Sequence, residues 1–467
     1  MFLKELKIFP FIFLIGTALR ILALKSHDFW FDEAITYHFA NLPLAILLKA
    51  TATDFNPPLY YLLMHYVIKI SSNELFLRLP SLIFSLLSIL VLYYFAKSRI
   101  NQKVALIGAS LLAVSPLSIY LASEARLHSL AILFVPLLIA SFFKLLKRPN
   151  TSTTLTFILI STLALYTQYY LILLFLSFAL IISFAKTKIK IAKFLKIISV
   201  PVFALMPWVL FSAQFDHNPC WCPNTLLSLP SSLVSPVISG VGIVTLRSYT
   251  NLPMPTLFLL TTTTIITIIF LFKGFLRNWK IASFYLFPIA QVSFLGLFFP
   301  VFSPKAFSIF SPIFLVIVAL GIDSTKKQIL LAPLLVILMG SISAVELNSP
   351  FFRGEKLKEV VKITNNDKKA AIVHTSPVTY YSIRFYTQDK QQNLLAANNP
   401  LSKTTLNYID SFQQKIGDQT KNLWLVTTAK WTNPDQTKQA LEELFVNFRE
   451  LEDFQVGNIS VIYLSRK

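Results

Sequence analysis

Four carboxylates lie in one short polar segment that follows the first apolar run of the chain. Asp28, Asp32, Glu33 and Asp54 all fall within residues 27–56, whereas the long apolar runs that follow carry few acids. The adjacent pair Asp32 and Glu33 could bind a divalent cation, act as a general base or hold a substrate hydroxyl, or could simply be solvated. Because charge at the mouth of a membrane bundle is costly to bury, the cluster indicates a functional site.

The composition is that of a membrane protein. Of 467 residues, 55% are hydrophobic and 14% are charged, and the mean hydropathy is +0.63. Apolar runs of about the length needed to cross hydrocarbon recur from Ile8 to Val345. We predict about eleven spans, at Ile8–Leu24, Leu79–Ala96, Val104–Tyr120, His128–Phe143, Leu155–Tyr166, Tyr170–Phe184, Phe194–Phe211, Leu257–Phe272, Ile281–Val301, Phe307–Ile322 and Ile329–Val345.

The basic residues predict how the spans are oriented. A net charge of +20 could indicate a nucleic-acid partner, but the Lys and Arg clusters alternate with the spans. Short loops rich in Lys and Arg stay on the cytoplasmic side, and all the clusters fall on one side of the predicted spans. We therefore predict a multi-pass protein of the plasma membrane that contacts membrane lipids and no nucleic acid. Its N-terminus would be cytoplasmic, and the acidic loop would be extracytoplasmic.

The composition changes abruptly near Pro350. We predict a multi-span membrane domain over residues 1–350, whose first outer loop is 25–78, and a soluble extracytoplasmic α/β domain over residues 351–467. Within that first loop, Leu42–Ala50 and Leu59–Ile70 fit helices lying in the membrane interface. In the second domain we expect helices near 354–361 and 438–448, and strands at 370–373, 423–426 and 459–464.

A second group of ligand-type residues lies in a later outer loop. Asp216, His217, Cys220 and Cys222 could hold zinc, but their spacing matches no zinc-finger pattern. The alternative is a loop rich in Trp and Pro that covers the site. With only 11 glycines the chain shows no glycine-rich phosphate loop, which argues against a nucleotide-binding site of that kind.

Four short motifs carry a resemblance to a known family. They are Asp32-Glu33 after the first span, the DFNPPLYY segment at 54–61, the RLP segment at 78–80 and the SEAR segment at 123–126. In these the chain resembles the polyprenyl-phosphate-sugar-dependent glycosyltransferases of the C-type superfamily, which include protein O-mannosyltransferases and lipid A aminoarabinose transferases. The resemblance covers most of residues 29–170 and rests on span layout beyond Phe194.

The resemblance implies a fold, a reaction and a set of residues. It implies a polytopic C-type fold and transfer of a single sugar from a polyprenyl-phosphate donor to an extracytoplasmic protein, lipid or cell-envelope glycan. Asp32 would engage the acceptor nucleophile, and Glu33 would support it or help bind a cation. The residues expected to bind substrate are Asp54, Asn56, His65, Arg78, Glu124, Arg126 and Lys305.

Several of these assignments have alternatives in the residues themselves. Arg126 and Lys305 are cations at outer ends of spans, where they could stabilise a leaving phosphate or form a structural pair across helices. The family often has Arg-Tyr where this chain has Lys305-Ala306, so a cation is retained. His65 could line the site or be a hydrogen-bonded structural residue. Tyr60 and Tyr61 are expected to be anchors at the membrane interface.

Two other classes of function are compatible with a polytopic chain. A transporter or lipid-linked sugar flippase would carry charges near mid-membrane, often on repeated elements. Here the acids cluster at one face and no internal repeat is present, which favours the enzyme. An oligosaccharide ligase or oligosaccharyltransferase would differ from the predicted enzyme in the size of its donor.

Overall fold

A bundle of helices makes up most of the chain, and a small α/β unit follows it. The computed structural model describes residues 2–54, 56–184, 187–217, 253–299, 304–348, 354–387, 391–395, 421–428 and 434–467. The helices of the bundle are α1 (Phe2–Ala23), α2 (Phe31–Ala40), α3 (Leu44–Ala52), α4 (Leu59–Ile70), α5 (Glu74–Arg99), α6 (Gln102–Val114), α7 (Pro116–Ala122), α8 (His128–Lys147), α9 (Thr151–Leu165), α10 (Leu173–Phe184), α11 (Ile191–Ser212), α12 (Met254–Arg277), α13 (Trp279–Leu295), α14 (Pro304–Phe307), α15 (Ser311–Asp323) and α16 (Gln328–Asn348).

Each predicted span overlaps helical structure, but the count of eleven is not confirmed. Among the described residues, six helices are long and apolar enough to cross a membrane. They are α5, α8, α11, α12, α16 and the helical segment that runs from Lys305 to the end of α15. The bent pair α6–α7 would make a seventh span, and α1, α4, α9 and α10 form shorter apolar segments. The two predicted interface segments are the short helices α3 and α4.

The break between α6 and α7 follows from Pro116 and is compensated by Arg20. The two helices meet at 57°. Pro116 has no N–H and cannot donate to the carbonyl of Leu112. Instead the buried Arg20 donates to the carbonyls of Leu112 and Ala113 at 3.0 and 2.7 Å. Because lipid supplies no hydrogen-bond partner, these bonds stabilise the broken helix.

Two glycines bring α12 and α15 into backbone contact. A Cβ atom on Gly274 would lie 1.9 Å from the carbonyl oxygen of Ile317. A Cβ atom on Gly321 would lie 1.9 Å from the carbonyl oxygen of Phe270. Small residues allow helices in lipid to approach this closely and to gain packing contacts that larger side chains would prevent.

Helix ends near the predicted basic loops meet at one end of the bundle. Arg277, the last residue of α12, lies 3.0 Å from the carboxylate of Asp323, the last residue of α15. Asn101, which caps the start of α6, donates to the same carboxylate at 3.2 Å. This agrees with the charge pattern, which places these loops on one side of the membrane.

The α/β unit contains one mixed sheet. Its elements are α17 (Leu357–Thr364), β1 (Ala371–His374), α18 (Pro377–Tyr386), β2 (Gln392–Leu394), β3 (Asn422–Thr428), α19 (Pro434–Asn447), β4 (Phe448–Val456) and β5 (Ile459–Arg466). The sheet order is β2-β1-β3-β5-β4. Strand β1 is parallel to β2 and β3, and β5 is antiparallel to β3 and β4, with Ile372 opposite Trp424 and Leu425 opposite Ile462.

Three elements of this unit were not predicted. Strand β4 is an edge strand whose side chains are mostly exposed, so it lacks the apolar alternation that marks a half-buried strand. Helix α18 is rich in aromatic and β-branched residues, which favour strands. It forms a helix because Pro377 occupies its first turn and the Ser376 side chain accepts from the N–H of Val378. The third, β2, has only three residues.

Helix α18 packs on α2 and joins the α/β unit to the acidic segment. Phe385 stacks on Phe29 with ring centroids 4.1 Å apart and meets Tyr37 edge-on at 4.9 Å. A ring nitrogen of His38 lies 3.2 Å from the carbonyl oxygen of Tyr381. Helix α2 is therefore in direct contact with the α/β unit.

Candidate active site

Helix α2 carries Asp32 and Glu33 in its first turn and directs them apart. Trp30 precedes the helix in an extended conformation, and Phe31 begins it. Carboxylates are favourable here because the N-terminus of a helix has a partial positive charge. Successive side chains on an α-helix diverge by about 100°. The two adjacent acids therefore meet different partners.

Glu33 is buried against Arg78. The guanidinium donates to both carboxylate oxygens, at 2.8 and 2.7 Å, and the N–H of Ala125 donates to Oε1 at 2.8 Å. The other donors of Arg78 bond to Glu74, to His27 and to backbone carbonyls of the segment 24–28. All its donors are engaged, so this geometry disfavours the substrate contact predicted for Arg78. Glu33 is placed to support α2, which carries Asp32, and its role in the reaction stays a prediction.

Asp32 faces a lysine that it shares with a buried glutamate. Nζ of Lys305 lies 3.1 Å from Oδ2 of Asp32 and 3.1 Å from Oε2 of Glu124. The ring centroid of Trp30 is 4.6 Å from the same nitrogen. The Glu124 side chain is fully buried, whereas that of Asp32 is 25% exposed and that of Lys305 is 21% exposed. Asp32 is therefore the carboxylate of this group that a substrate can reach.

Arg126 lies on the other side of Asp32. Its Nη1 is within 3.4 Å of the backbone carbonyl of Asp32, the hydroxyl of Thr36 and the hydroxyl of Tyr61. Its buried Nε has no hydrogen-bond partner among the described residues. These three acceptors are neutral, so they do not neutralise the charge of the guanidinium. Its Nε–H can still donate to an incoming anion. Glu124 and Arg126 are two positions apart but do not form an ion pair, because Glu124 pairs with Lys305.

Asp54 and Asn56 join this cluster through Tyr61. The carboxylate of Asp54 accepts hydrogen bonds from the hydroxyl of Tyr61 and, at 3.1 Å, from the side-chain amide of Asn56. The side-chain amide of Gln168 donates to Oδ1 of Asn56 at 3.5 Å. The hydroxyl of Tyr61 also accepts from Arg126. The structure thus connects the DFNPPLYY segment, through Tyr61, to the SEAR segment, through Arg126.

Tyr60, Tyr61 and His65 of α4 lie inside the protein. A ring nitrogen of His65 is 2.8 Å from the carbonyl oxygen of Ala40, at the end of α2, and no described contact joins it to Asp32. This placement favours the structural alternative for His65. Tyr60 and Tyr61 are at most 1% exposed. The prediction that these two tyrosines anchor the membrane interface is wrong, because their hydroxyls serve internal hydrogen bonds.

The cations around Asp32 keep it ionised. Burial alone raises the pKa of Asp32, but Lys305 and Arg126 more than offset burial and hold the pKa below its usual value. His27 lies 3.8 Å from Glu33 and is neutral near pH 7, because burial and then the charge of Arg78 lower its pKa to about 4. The ionised form of Asp32 can accept a hydrogen bond from a substrate.

The predicted metal ligands do not come together in the described part of the chain. No group of three or more His, Cys, Asp or Glu residues there is arranged to hold a metal ion. The acid pair of α2 engages a lysine and an arginine. Asp216 and His217 are exposed, and Cys220 and Cys222 lie outside the described residues. Binding of a divalent cation stays a prediction.

Part of the chain matches a protein-family model. Residues 56–211 match the model described as dolichyl-phosphate-mannose-protein mannosyltransferase. This stretch includes Arg78, Glu124 and Arg126, and it ends before Lys305. No curated protein matches the chain.

Solved structures match the chain over nearly its whole length. ArnT from Cupriavidus metallidurans matches with a TM-score of 0.63 over 97% of this chain and 98% of its own, at 10% identity. The same protein bound to undecaprenyl phosphate also gives 0.63, at 11% identity, over 97% of each chain. The chain has the C-type membrane glycosyltransferase fold. The structural matches confirm the C-type fold that the sequence predicts, and the match to the family model is confined to residues 56–211.

A second C-type structure is more distant. The archaeal oligosaccharyltransferase AglB from Archaeoglobus fulgidus, in complex with an inhibitory peptide and a dolichol-phosphate, matches with a TM-score of 0.53 at 10% identity. The match covers 98% of this chain and 74% of AglB.

The sequence did not identify Trp30, Tyr61 and Gln168 as members of the site. Trp30 stands two residues before Asp32, and its position beside the acid pair was the available signal. Tyr61 lies inside the DFNPPLYY segment but was assigned to the membrane interface. Gln168 gave no signal, because only the fold brings the turn after α9 to Asn56.

Proposed function

We propose that this protein transfers one sugar from a polyprenyl-phosphate donor to an extracytoplasmic acceptor, and that Asp32 engages the acceptor nucleophile. The observation that carries the proposal is the position of Asp32. It is a partly exposed, ionised carboxylate between two cations, at the end of the bundle where the α/β unit packs.

The proposed reaction is a displacement at the anomeric carbon of the donor sugar. The acceptor group, for example a hydroxyl, donates a hydrogen bond to the carboxylate of Asp32. Its oxygen attacks the anomeric carbon while the bond from that carbon to the phosphate oxygen breaks. Asp32 takes the acceptor proton as negative charge moves to the phosphate, and polyprenyl phosphate leaves with the electron pair. A positioned base of this kind typically contributes about 10²- to 10⁴-fold to a rate.

The leaving phosphate needs donors that are already in place. Arg126 supplies a guanidinium with a free Nε, and His128, at the start of α8, has a buried Nδ1 without a partner among the described residues. The buried indole nitrogen of Trp30 likewise has no partner there. Donors fixed before the reaction stabilise developing charge without reorganisation. We assign Arg126 the main contact because guanidinium groups bind phosphate in a bidentate manner.

Lys305 could contact both the phosphate of the donor and the carboxylate of Asp32. In the structure its ammonium group is shared between Asp32 and Glu124. A donor phosphate would offer Lys305 a further anion and weaken its hold on Asp32. The carboxylate would then be available to the acceptor, which makes the donor the first substrate to bind.

The finer points of the proposal rest on the sequence and on the relatives. ArnT bound to undecaprenyl phosphate supports a polyprenyl-phosphate donor. The family match to dolichyl-phosphate-mannose-protein mannosyltransferases supports a single-sugar donor. The charge pattern supports the plasma membrane, a cytoplasmic N-terminus and an extracytoplasmic site. We assign the α/β unit a part in choosing the acceptor, because it packs against α2.

A transfer assay tests this function. Purified protein in detergent is given radiolabelled polyprenyl-phosphate sugars and a membrane or cell-wall extract, in parallel with a lipid-linked oligosaccharide. We expect wild type and the surface control Glu359→Gln to label an extract component from a single-sugar donor. Transfer only from the oligosaccharide would replace the single-sugar proposal. Lipid flipping in liposomes without transfer from any donor would overturn the enzymatic proposal.

A further inference from the structure

Two residues of the α/β unit contact one carboxylate of the bundle. Nζ of Lys358 lies 2.7 Å from Oε2 of Glu74, and the hydroxyl of Tyr386 donates to the same oxygen at 3.1 Å. The other oxygen of Glu74 accepts from Nη1 of Arg78 at 2.9 Å. The Glu74 side chain is only 10% exposed, so its charge is largely removed from water. Glu74 therefore joins the α/β unit to the buried arginine.

The series of ion pairs continues from Arg78 to Glu33, the residue next to Asp32. Arg78 holds Glu33 in two hydrogen bonds, and both side chains are fully buried. Positive and negative groups alternate from Lys358 to Glu33. The Lys358 side chain is 52% exposed, but its partner Glu74 is largely buried, so removal of the lysine charge leaves Glu74 less compensated and alters its pairing with Arg78. A change at Lys358 is therefore expected to reach the first turn of α2.

A second set of contacts holds the backbone just before α2. The N–H of Phe29 donates to the hydroxyl of Tyr386 at 2.7 Å. The N–H of Lys358 donates to the carboxylate of Asp28 at 2.8 Å, and its Nζ lies 3.5 Å from that group. Both residues of the α/β unit thus contact the segment that leads into α2 as well as Glu74.

We propose that Lys358 and Tyr386 are positioning residues for sugar transfer. They hold the segment 28–33 through Glu74, Asp28 and the Phe29 N–H, and so fix the direction of Asp32. This inference rests on the proposed function and adds to it a requirement for the α/β unit in the chemical step. Neither residue contacts the Arg126 and Lys305 group that would bind the donor. Loss of either is expected to lower kcat and to leave the KM for the lipid donor unchanged.

The kinetic test compares four variants. Lys358→Met and Tyr386→Phe should each lower kcat roughly tenfold, because small displacements of a catalytic group are costly. Lys358→Arg retains the charge and should restore most of the rate. Lys356→Met is the matched control, since Lys356 pairs with Glu359 on the same surface at 3.2 Å, with both side chains more than half exposed. An unchanged kcat in both Lys358→Met and Tyr386→Phe would overturn the inference.

A measurement independent of activity separates this inference from the proposed function. Hydrogen exchange of residues 29–40 is followed in the same preparations. We expect faster exchange in Lys358→Met and Tyr386→Phe than in wild type and Lys356→Met. Exchange that is the same in all four proteins would overturn the positioning role even if transfer is observed. If wild type transfers no sugar while exchange rises as expected, the proposed function fails, and what stands is that Lys358 and Tyr386 hold α2 in place.

Discussion

Nζ of Lys305 lies 3.1 Å from the carboxylate of Asp32, although 273 positions separate the two residues in the chain. Asp32 stands in the first turn of α2, and Lys305 in the short helix α14 that leads into α15. The candidate site is therefore completed only when the two ends of the helical region come together. Glu124 holds the lysine from a third element.

The pH dependence of transfer should report this pairing. Lys305 and Arg126 hold the pKa of Asp32 below its usual value, so wild type should keep its rate as pH falls to about 4, near the ordinary aspartate pKa. Lys305→Met removes one of these charges and should raise the pKa of Asp32. The acid limb of kcat/KM should then move to higher pH. Lys326→Met, which changes an exposed lysine, is the control. An acid limb at the same pH in Lys305→Met and wild type would contradict the pairing.

Arg126 should act on donor binding. Arg126→Gln removes the guanidinium and should weaken binding of undecaprenyl phosphate by roughly 10- to 100-fold, as expected for loss of a charge-assisted hydrogen bond. Arg126→Lys should recover only part of the affinity, because lysine cannot bind in a bidentate manner. Binding is measured directly with labelled lipid. Arg148→Gln changes an exposed arginine and should bind as wild type does. Equal affinity in Arg126→Gln would place the phosphate elsewhere.

Glu33 should affect stability as well as rate. Glu33→Gln leaves the buried Arg78 with less compensation for its charge and should destabilise the protein by about 3 kcal/mol. Thermal unfolding in detergent measures the change. Glu359→Gln alters an exposed ion pair and should cost about 0–1 kcal/mol. A Glu33→Gln protein that unfolds at the wild-type temperature would show that this pair does not support the fold.

Replacement of Gly274 by alanine should destabilise the protein. In Gly274→Ala the new methyl group would clash with the carbonyl oxygen of Ile317. The two helices α12 and α15 would have to move apart, which should lower the free energy of unfolding by about 1–3 kcal/mol. Gly340→Ala is the control, because its Cβ would find its nearest neighbour at 3.9 Å. Equal melting temperatures for these two variants would refute the close approach of the helices.

Much of this organisation is predictable from the sequence because it is local. Apolar runs mark the helices, and the motifs around Asp32 and Arg126 mark the site. What could not be predicted depends on contacts distant in sequence. Tyrosine is a residue type that often anchors the membrane interface. Only the fold shows that Tyr61 is buried and bonds to Asp54. Arg78 has the charge of a phosphate ligand, yet packing against Glu33 uses its donors.

The α/β unit shows the same limit. Strands β1, β3 and β5 have clear apolar runs and were predicted. The residues that reach the site, Lys358 and Tyr386, carry no motif, and their importance follows from docking on Asp28 and Glu74. An aromatic segment such as α18 favours a strand locally, and its helix is set by Ser376 and Pro377 at its start.

The most direct test of the account is the transfer rate of Asp32→Asn, measured beside its binding of undecaprenyl phosphate. The substitution keeps the shape of the side chain and removes the base. We predict a fall in kcat of about 10²- to 10⁴-fold with lipid binding close to that of wild type. Transfer by Asp32→Asn at the wild-type rate would contradict the assignment of Asp32 as the residue that engages the acceptor.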